Sequence, residues 1–530
     1  MSVAMKLLQS LPHTDWLTSV YSAKQVLENE AKVAQSQNLA MFHLMELAGQ
    51  AAFTHLIAHW PSAQHVLVLA GKGNNGGDGF IVATLAKKAG LKVTVLLTCI
   101  PEELKGDAAR AYQAMLVAGD ITVINLLDDS SSLAALIHNE ADIIVDALFG
   151  IGFHGSLPEN IAQLVAEVNN SSTPVLSIDV PSGLCATTGA VSAGKLVTQA
   201  IMADVTVTFI VLKSGLLTGQ AANFVGQLKL SNLGLGAAFS QQVATSVYWQ
   251  RLHFDDEDST VPLLAKRLNT SHKGSIGMLV TIGGNIGMPG AIRLASEAAL
   301  RCGASLVSVC CHEGNQALVF NGRPELMMSA TDVDSLRQSN ALTHAKAIVL
   351  GPGLGHNEWA EQLYRQVVTQ ETSYAKPIVI DADALSLLAR DNQLSHDFEK
   401  LILTPHPKEA ARLLACDTAD IEANRIESAN KIAQKYHAIC VLKGAGTVIT
   451  DGKCTVINSS GNAGMASGGM GDVLSGIIAA LCMQTDDTFY AVCLSVFIHG
   501  YAADILAEKT GPRGMLASDL FVELQKLVNR

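Results

Sequence analysis

The stretch Leu69-Ala-Gly-Lys-Gly-Asn-Asn-Gly-Gly-Asp-Gly-Phe80, LAGKGNNGGDGF, follows the apolar run HVLVLA and precedes FIVATLAKKAG. Strand, glycine-rich turn and helix in that order expose backbone amides at a helix start, where a phosphate binds. Gly71, Gly73 and Gly76 also fit the G-x-G-x-x-G pattern. A dehydrogenase site needs in addition an acidic residue at the end of the next strand, to hold the ribose hydroxyls. That strand ends VLLTCIP, with no carboxylate before Glu102, and Asp78 inside the turn repels phosphate unless a cation is present. The stretch predicts an α/β nucleotide fold whose turn is not built for hydride transfer.

Outward from this turn, residues from about Ser22 to Trp60 carry apolar positions at helical spacing. From His65 onward HVLVLA, KVTVLL, ITVINL, DIIVDALFG, TPVLSIDV and DVTVTFI read as strands separated by helices, Phe80 to Ala89 among them. Near-continuous apolar strands of this kind predict a parallel sheet covered on both faces. A chain of 530 residues exceeds one ordinary core. The alternation breaks in 241–264, where the acidic cluster Asp255, Asp256, Glu257 and Asp258 precedes basic Lys266 and Arg267. We therefore expect domains over 1–240 and 265–530 joined by a linker. The second repeats the pattern with GMLVTIGG, a helix from about Gly290, ASLVSVCC, AKAIVLGPG, KPIVIDADAL, LILTPH, AICVLKGAGTVIT and CTVINSSG.

The net charge of −12 argues against nucleic acid as a partner. The ten cysteines include no C-x-x-C pair and fit a reducing, cytoplasmic location. The first residues lack the character of a signal peptide, and no run of about 18 apolar residues predicts a membrane span.

Three further stretches place polar groups at strand ends, which share one crevice in an open parallel sheet. VDALFGIGFHGSLPE gives Asp146 and a second glycine-rich loop, SIDVPSGL gives Asp179 and Ser182, and FIVLKSGLL gives Lys213. Asn75, Asp146 and Ser182 offer hard oxygen ligands for an alkali or alkaline-earth ion. GNNGGDG, DALFGIG and DVPSGL, in this order behind LMELAGQAA, resemble the NAD(P)H-hydrate epimerase domain over about residues 15 to 235. The resemblance implies a Rossmann-like three-layer αβα domain that interconverts the R and S hydrates of NADH and NADPH. It implies substrate contacts by Asn74, Asn75, Gly76, Gly77, Asp78, Gly150, Ile151, Gly152, Phe153, His154, Gly155, Ser156 and Asp179. It also implies a potassium ion on Asn75, Asp146 and Ser182. Loss and return of the substrate hydroxyl needs acid–base help, for which Asp179, supported by Lys213, is the first candidate and His154 a second.

SSGNAGMASGGMGDVLSGIIAAL contains the run Gly468-Gly469-Met470-Gly471-Asp472, expected to open a helix near Val473. Successive amides on glycines face one anion there, and Asp472 is either an N-cap or a base beside the phosphoryl group. The run resembles the G-x-G-D signature of the ribokinase-like fold, and no Walker A sequence occurs. With HKGSIG, GGNIGMPGAIRLASEAALRCGASLVSV, LGPGLG, IDADAL, LTPHPKEAARLL, VLKGAGTVI and GMLASDL, it resembles the ADP-dependent NAD(P)H-hydrate dehydratase domain over about residues 265 to 527. Ala463 and Met470 depart from the family pattern.

The second resemblance implies a ribokinase-like αβα domain with nucleotide contacts by Lys443, Gly444, Ala445, Gly446, Thr447 and Gly471. It assigns hydrate contacts to Ala291, Gly353, His406 and Asp472, with Asp472 as the catalytic base. ADP would be the co-substrate with Mg2+, giving AMP and phosphate. Taken together, a bifunctional repair enzyme is expected, a homo-oligomer acting on small molecules with no nucleic-acid or membrane partner. Two alternatives stand beside it: a ribokinase-like small-molecule kinase fused to a cofactor-sensing domain, and a non-catalytic nucleotide-binding regulator.

Overall fold

The computed structural model describes residues 17–126, 133–192, 200–250, 264–370, 375–391 and 398–530. Two compact units divide the chain: Ser19–Val247, and Tyr248–Arg530, to which Leu17 and Thr18 also belong. The division falls inside the 241–264 stretch expected as a linker. Its acidic cluster lies in 251–263, outside the described residues.

The main sheet of the first unit has seven strands: β1 (His65–Ala70), β2 (Lys92–Leu97), β3 (Thr122–Asn125), β4 (Ile143–Ala147), β5 (Val175–Ile178), β6 (Val205–Phe209) and β7 (Gln227–Ser231). They pair in parallel in the order β3-β2-β1-β4-β5-β6-β7. Every residue of β1 and β4 is buried, as strands covered on both faces must be. The edge strand β7 is half-exposed and has no apolar run, which is why the sequence pattern did not show it. The strand order reverses between β1 and β4, so their C-terminal ends open a crevice.

Helices α1 (Ala23–Ser36) and α2 (Met41–His59) precede the sheet, and α3 (Asn74–Lys88) follows β1. One expectation is corrected here. Asn74 to Asp78 do not form a loop ahead of the helix; they are its first turn, with Gly73 as N-cap. Two glycines allow it. A side chain at Gly76 would begin 1.9 Å from the Gly71 carbonyl oxygen, and one at Gly71 would begin 2.0 Å from that of Leu148. The first turn is therefore pressed directly onto the strand-end loops.

The second unit has β8 (Met278–Ile282), β9 (Leu306–Cys310), β10 (Leu326–Ala330), β11 (Ala345–Leu350), β12 (Ile378–Ile380), β13 (Leu401–Leu403), β14 (Ile439–Leu442), β15 (Val448–Thr450) and β16 (Thr455–Asn458). Their order is β10-β9-β8-β11-β12-β13-β14-β15-β16. Pairings through β14 are parallel, and β15 and β16 continue antiparallel. Strand order reverses here between β8 and β11, creating a second crevice.

The helices of this unit include α4 (Pro289–Arg301), α5 (Pro407–Leu414), α6 (Arg425–Tyr436), α7 (Met470–Cys482) and α8 (Thr488–Thr510). Helix α7 begins at Met470, three residues before the expected Val473, because Gly469 takes the left-handed conformation (φ 91°) that ends the preceding turn. Asp472 thus lies in the first turn and not at the N-cap. Gly476 brings α7 against α4, since a side chain there would begin 2.0 Å from the Ala295 carbonyl oxygen. Helix α8 is long and apolar enough to cross a membrane, yet its residues from Tyr490 to Gly500 are buried in the unit. It is a core helix by environment.

Candidate functional site

In the first unit a cavity of about 640 Å³ opens at the crevice. Asn74, Asn75, Asp78, Gly150, Ile151, Gly152, Phe153, His154, Ser156, Asp179 and Lys213 line it. Gly76, Gly77 and Gly155, expected to touch substrate, do not. Gly76 faces the Gly71 carbonyl and Gly77 faces the Met45 side chain, so helix packing occupies both.

Asp179 follows β5 with φ 64°, a left-handed conformation that costs a non-glycine residue roughly 1–3 kcal/mol. That strain turns its carboxylate toward Lys213, whose Nζ donates to Asp179 Oδ1 at 2.6 Å. The same Nζ donates to Thr208 Oγ1 at 2.9 Å and to the Phe209 carbonyl at 2.8 Å, so all three ammonium hydrogens are committed. The Thr208 hydroxyl and the Phe209 amide also donate to Oδ1. Among the described residues Oδ2 accepts no hydrogen bond. His154 is exposed on the cavity rim.

Asp146 lies beneath the cavity and is fully buried. It accepts from Ser182 Oγ at 2.5 Å, the Ser182 amide at 2.8 Å and Ser177 Oγ at 2.8 Å. Burial nevertheless pushes its carboxyl above the usual range, against these hydrogen bonds. Ser182 Oγ also accepts from the Phe149 amide at 2.9 Å, which ties the Asp146 site to the Gly150–Ser156 loop. The Asn75 amide is buried against Gly150, and its Nδ2 has no hydrogen-bond partner among the described residues.

In the second unit Asp381, at the end of β12, organises the crevice. It accepts from Lys443 Nζ at 2.9 Å and from Ser475 Oγ at 2.6 Å. Burial opposes its charge, but Lys443 overrides that and holds the carboxyl below its usual value. Ser475 Oγ also contacts the Gly471 carbonyl at 3.1 Å, linking Asp381 to the first turn of α7. A side chain at Gly471 would begin 3.2 Å from Lys443 Nζ. Asp472, in the same turn, is pushed up to about 7 by burial and by the nearby Asp381 charge. The turn Lys443–Thr447 joins β14 to β15 and is closed by Thr447 Oγ1 donating to the Gly444 carbonyl at 2.8 Å.

His406 caps α5, its Nδ1 accepting from the Lys408 amide at 3.1 Å. Burial and then Lys443 depress its pKa, which favours the neutral ring. Ala291 and Gly353 meet at the switch point, where a Gly353 side chain would begin 3.2 Å from Ala291 Cβ. The residues expected on the hydrate side therefore divide into an Ala291–Gly353 floor and the polar pair of His406 and Asp472, both within the electrostatic reach of Lys443, which is expected on the nucleotide.

A family model described as NAD(P)H-hydrate dehydratase matches residues 279–526, and one described as YjeF-related protein N-terminus matches residues 41–215. The bifunctional NAD(P)H-hydrate repair enzyme Nnr of Escherichia coli (strain K12) is 43% identical over 522 residues, covering 98% of this chain and 95% of that protein. The chain belongs to the bifunctional NAD(P)H-hydrate repair enzymes. The repair enzyme Nnr of Coxiella burnetii is 40% identical over 523 residues, covering 97% of this chain and 100% of its own. Among solved structures, an ADP/ATP-dependent NAD(P)H-hydrate dehydratase from Bacillus subtilis, co-crystallized with ATP/Mg2+, is 29% identical and covers 50% of this chain and 93% of that one, with a TM-score of 0.44. Membership in the repair-enzyme family removes the kinase-plus-sensor and non-catalytic alternatives.

Sequence reasoning missed three site residues of this repair enzyme. Glu409 pairs with His406 in a capping box, lies 4.0 Å from Lys443 Nζ, and is pushed up to about 7, chiefly by burial. Its spacing from His406 is the one signal that points to it. Buried Arg425, at the start of α6, donates from Nη2 to the Leu442 carbonyl at 3.1 Å and the Lys443 carbonyl at 2.9 Å, bracing the turn from behind. Glu30, on α1, lines the first cavity. Neither of these two belongs to a local motif.

Proposed function

We propose that the unit containing Asp179 interconverts the R and S hydrates of NADH and NADPH, and that the unit containing Asp472 dehydrates the S hydrate at the expense of ADP. The domains are taken as 1–240 and 265–530. The observation that carries this is Asp472: a carboxylate with pKa near 7, in the first turn of a helix whose glycine lies beside Lys443. A base matched to neutral pH next to an anion-binding turn suits deprotonation of a hydroxyl that attacks a phosphoryl group.

In this scheme Asp472 takes the hydrate hydroxyl proton, and the oxygen attacks the terminal phosphoryl group of ADP, releasing AMP. The C–O bond to phosphate then breaks as the neighbouring carbon loses a proton, which restores the dihydronicotinamide. Lys443 and the amides of Gly444 to Thr447 and Gly471 orient the nucleotide and balance its charge. His406, with Ala291 and Gly353, positions the hydrate.

Among the described residues no group of three His, Cys, Asp or Glu side chains gathers as a metal site. Mg2+ would be held mainly by phosphate oxygens and water, where it would neutralise charge on the nucleotide. Asn75, Asp146 and Ser182 fit a potassium ion: all three offer oxygen, and Asp146 is a buried carboxylate with no cation against it among the described residues. A bound K+ would fix the Gly150–Ser156 loop through Ser182 and Phe149. The cysteines, none of them disulfide-bonded, suit a cytoplasmic location.

The test supplies mixed NADH hydrates with ADP and Mg2+ and follows the absorbance of recovered NADH. Full recovery of both epimers supports both activities. Recovery that stops after the S epimer, no faster than spontaneous epimerisation allows, removes the epimerase, and no recovery removes the dehydratase.

A further inference from the structure

The cavity of the first unit has more carboxylates than its cations can balance. Glu30 on α1, Asp78 in the first turn of α3 and Asp179 after β5 all line it. Lys213 faces the same space but spends all three hydrogens on Asp179, Thr208 and Phe209. Lys72, at the mouth, is paired with Glu103 at 3.5 Å. The other ionisable groups on the wall are Asp107 and the exposed His154. Among the described residues neither the Glu30 nor the Asp78 carboxyl accepts a hydrogen bond.

Two carboxyls lining one cavity, each without a donor or a free cation among the described residues, favour a state in which one of them keeps its proton. Asp179 and Lys213 of the same lining are already an ion pair. We infer that Asp78 is the acid that protonates the departing hydroxyl of the hydrate, and that Glu30 is the positioning residue whose charge keeps Asp78 in its acid form. This rests on the epimerase function proposed above and assigns its proton donor.

The step balances without any oxidant. The Asp78 proton passes to the hydroxyl on the carbon next to the ring nitrogen. The C–O bond breaks, water leaves, and the nitrogen lone pair closes a C=N+ bond. The flat cation faces Asp179 Oδ2 and the Asp78 carboxylate, which stabilise it. Water adds back to the other face and gives its proton to the solvent, from which the Asp78 carboxylate regains the proton it donated. Burial and the neighbouring negative charges of Asp179 and Glu30 push the Asp78 carboxyl well above the ordinary range, as a proton donor at neutral pH requires. Burial and then Asp179 raise Glu30 as well.

The test uses the full chain and follows interconversion of purified epimers across pH, with ADP-dependent dehydration of the S hydrate as the folding control. The unaltered chain must first epimerise faster than buffer; if it does not, the epimerase function itself fails. D78N is expected to lose roughly 100-fold or more of the rate with dehydration intact. E30Q removes the repelling charge, so the alkaline limb of the epimerase pH profile should move to lower pH by about one unit, and E30D should restore it. A D78N rate within threefold of the unaltered chain overturns the assignment of Asp78. An unmoved pH limb in E30Q overturns that of Glu30.

Discussion

Lys443 Nζ lies 2.9 Å from Asp381 Oδ1, a bond that crosses over β13 to join the tips of β12 and β14. The lysine is thereby held beside the first turn of α7, and the glycine turn that comes after it is fixed in place. D381N should uncouple the pair and leave Lys443 only the more distant Glu409, 4.0 Å away, and Asp472, costing on the order of 1–2 kcal/mol of stability. Urea inactivation of the dehydratase should move to lower concentration, and KM for ADP should rise. An unchanged KM would mean that Lys443 does not hold the nucleotide.

Asp472 works as a base only when ionised, and burial beside Asp381 puts its midpoint at about 7. The dehydratase rate should therefore rise with pH and level off above about 7. Glu409 adds a like charge to the same cluster. E409Q should move the acidic limb to lower pH, measured as kcat against pH at saturating ADP.

The raised midpoint of Asp472 also makes a stability prediction. Its unfolded value is near 3.8, so the folded state keeps the proton longer and the protein loses stability as pH rises from about 4 to 7. D472N has no such loss. It should be on the order of 1–2 kcal/mol more stable than the unaltered chain at about pH 8 and equal to it below about pH 4, while its NADH recovery disappears.

Asp146 is buried with its oxygens turned to Ser177 and Ser182. D146A should abolish the response of epimerisation to added KCl and leave dehydration unaffected. If the KCl titration of the variant matches that of the unaltered chain, the potassium assignment is wrong.

A methyl group at Gly76 would meet the Gly71 carbonyl at 1.9 Å. G76A should push the first turn of α3 off the loop, costing about 1–3 kcal/mol, and reduce epimerisation at least tenfold. Dehydration by the same chain reports on the second unit and should persist.

By itself the sequence determined the two α/β units, almost every interior strand, and the strand-end motifs around Asn75, Asp146, Asp179, Lys443 and Asp472. It could do so because parallel strands buried on both faces are continuous apolar runs, and because anion-binding turns are glycine-rich in local sequence. The half-exposed edge strand β7 has neither signature and was missed. Helix starts were placed too late at Asn74 and Met470, because polar and glycine residues in a first turn look like loop until their packing is seen. Only the tertiary structure decided which charges are balanced. Lys213 is used up by Asp179, Lys443 is tied to Asp381, and Glu30 and Glu409 stand among other carboxylates in each site. Such balances depend on distances between residues far apart in the chain and on the exclusion of water, and no local pattern encodes either.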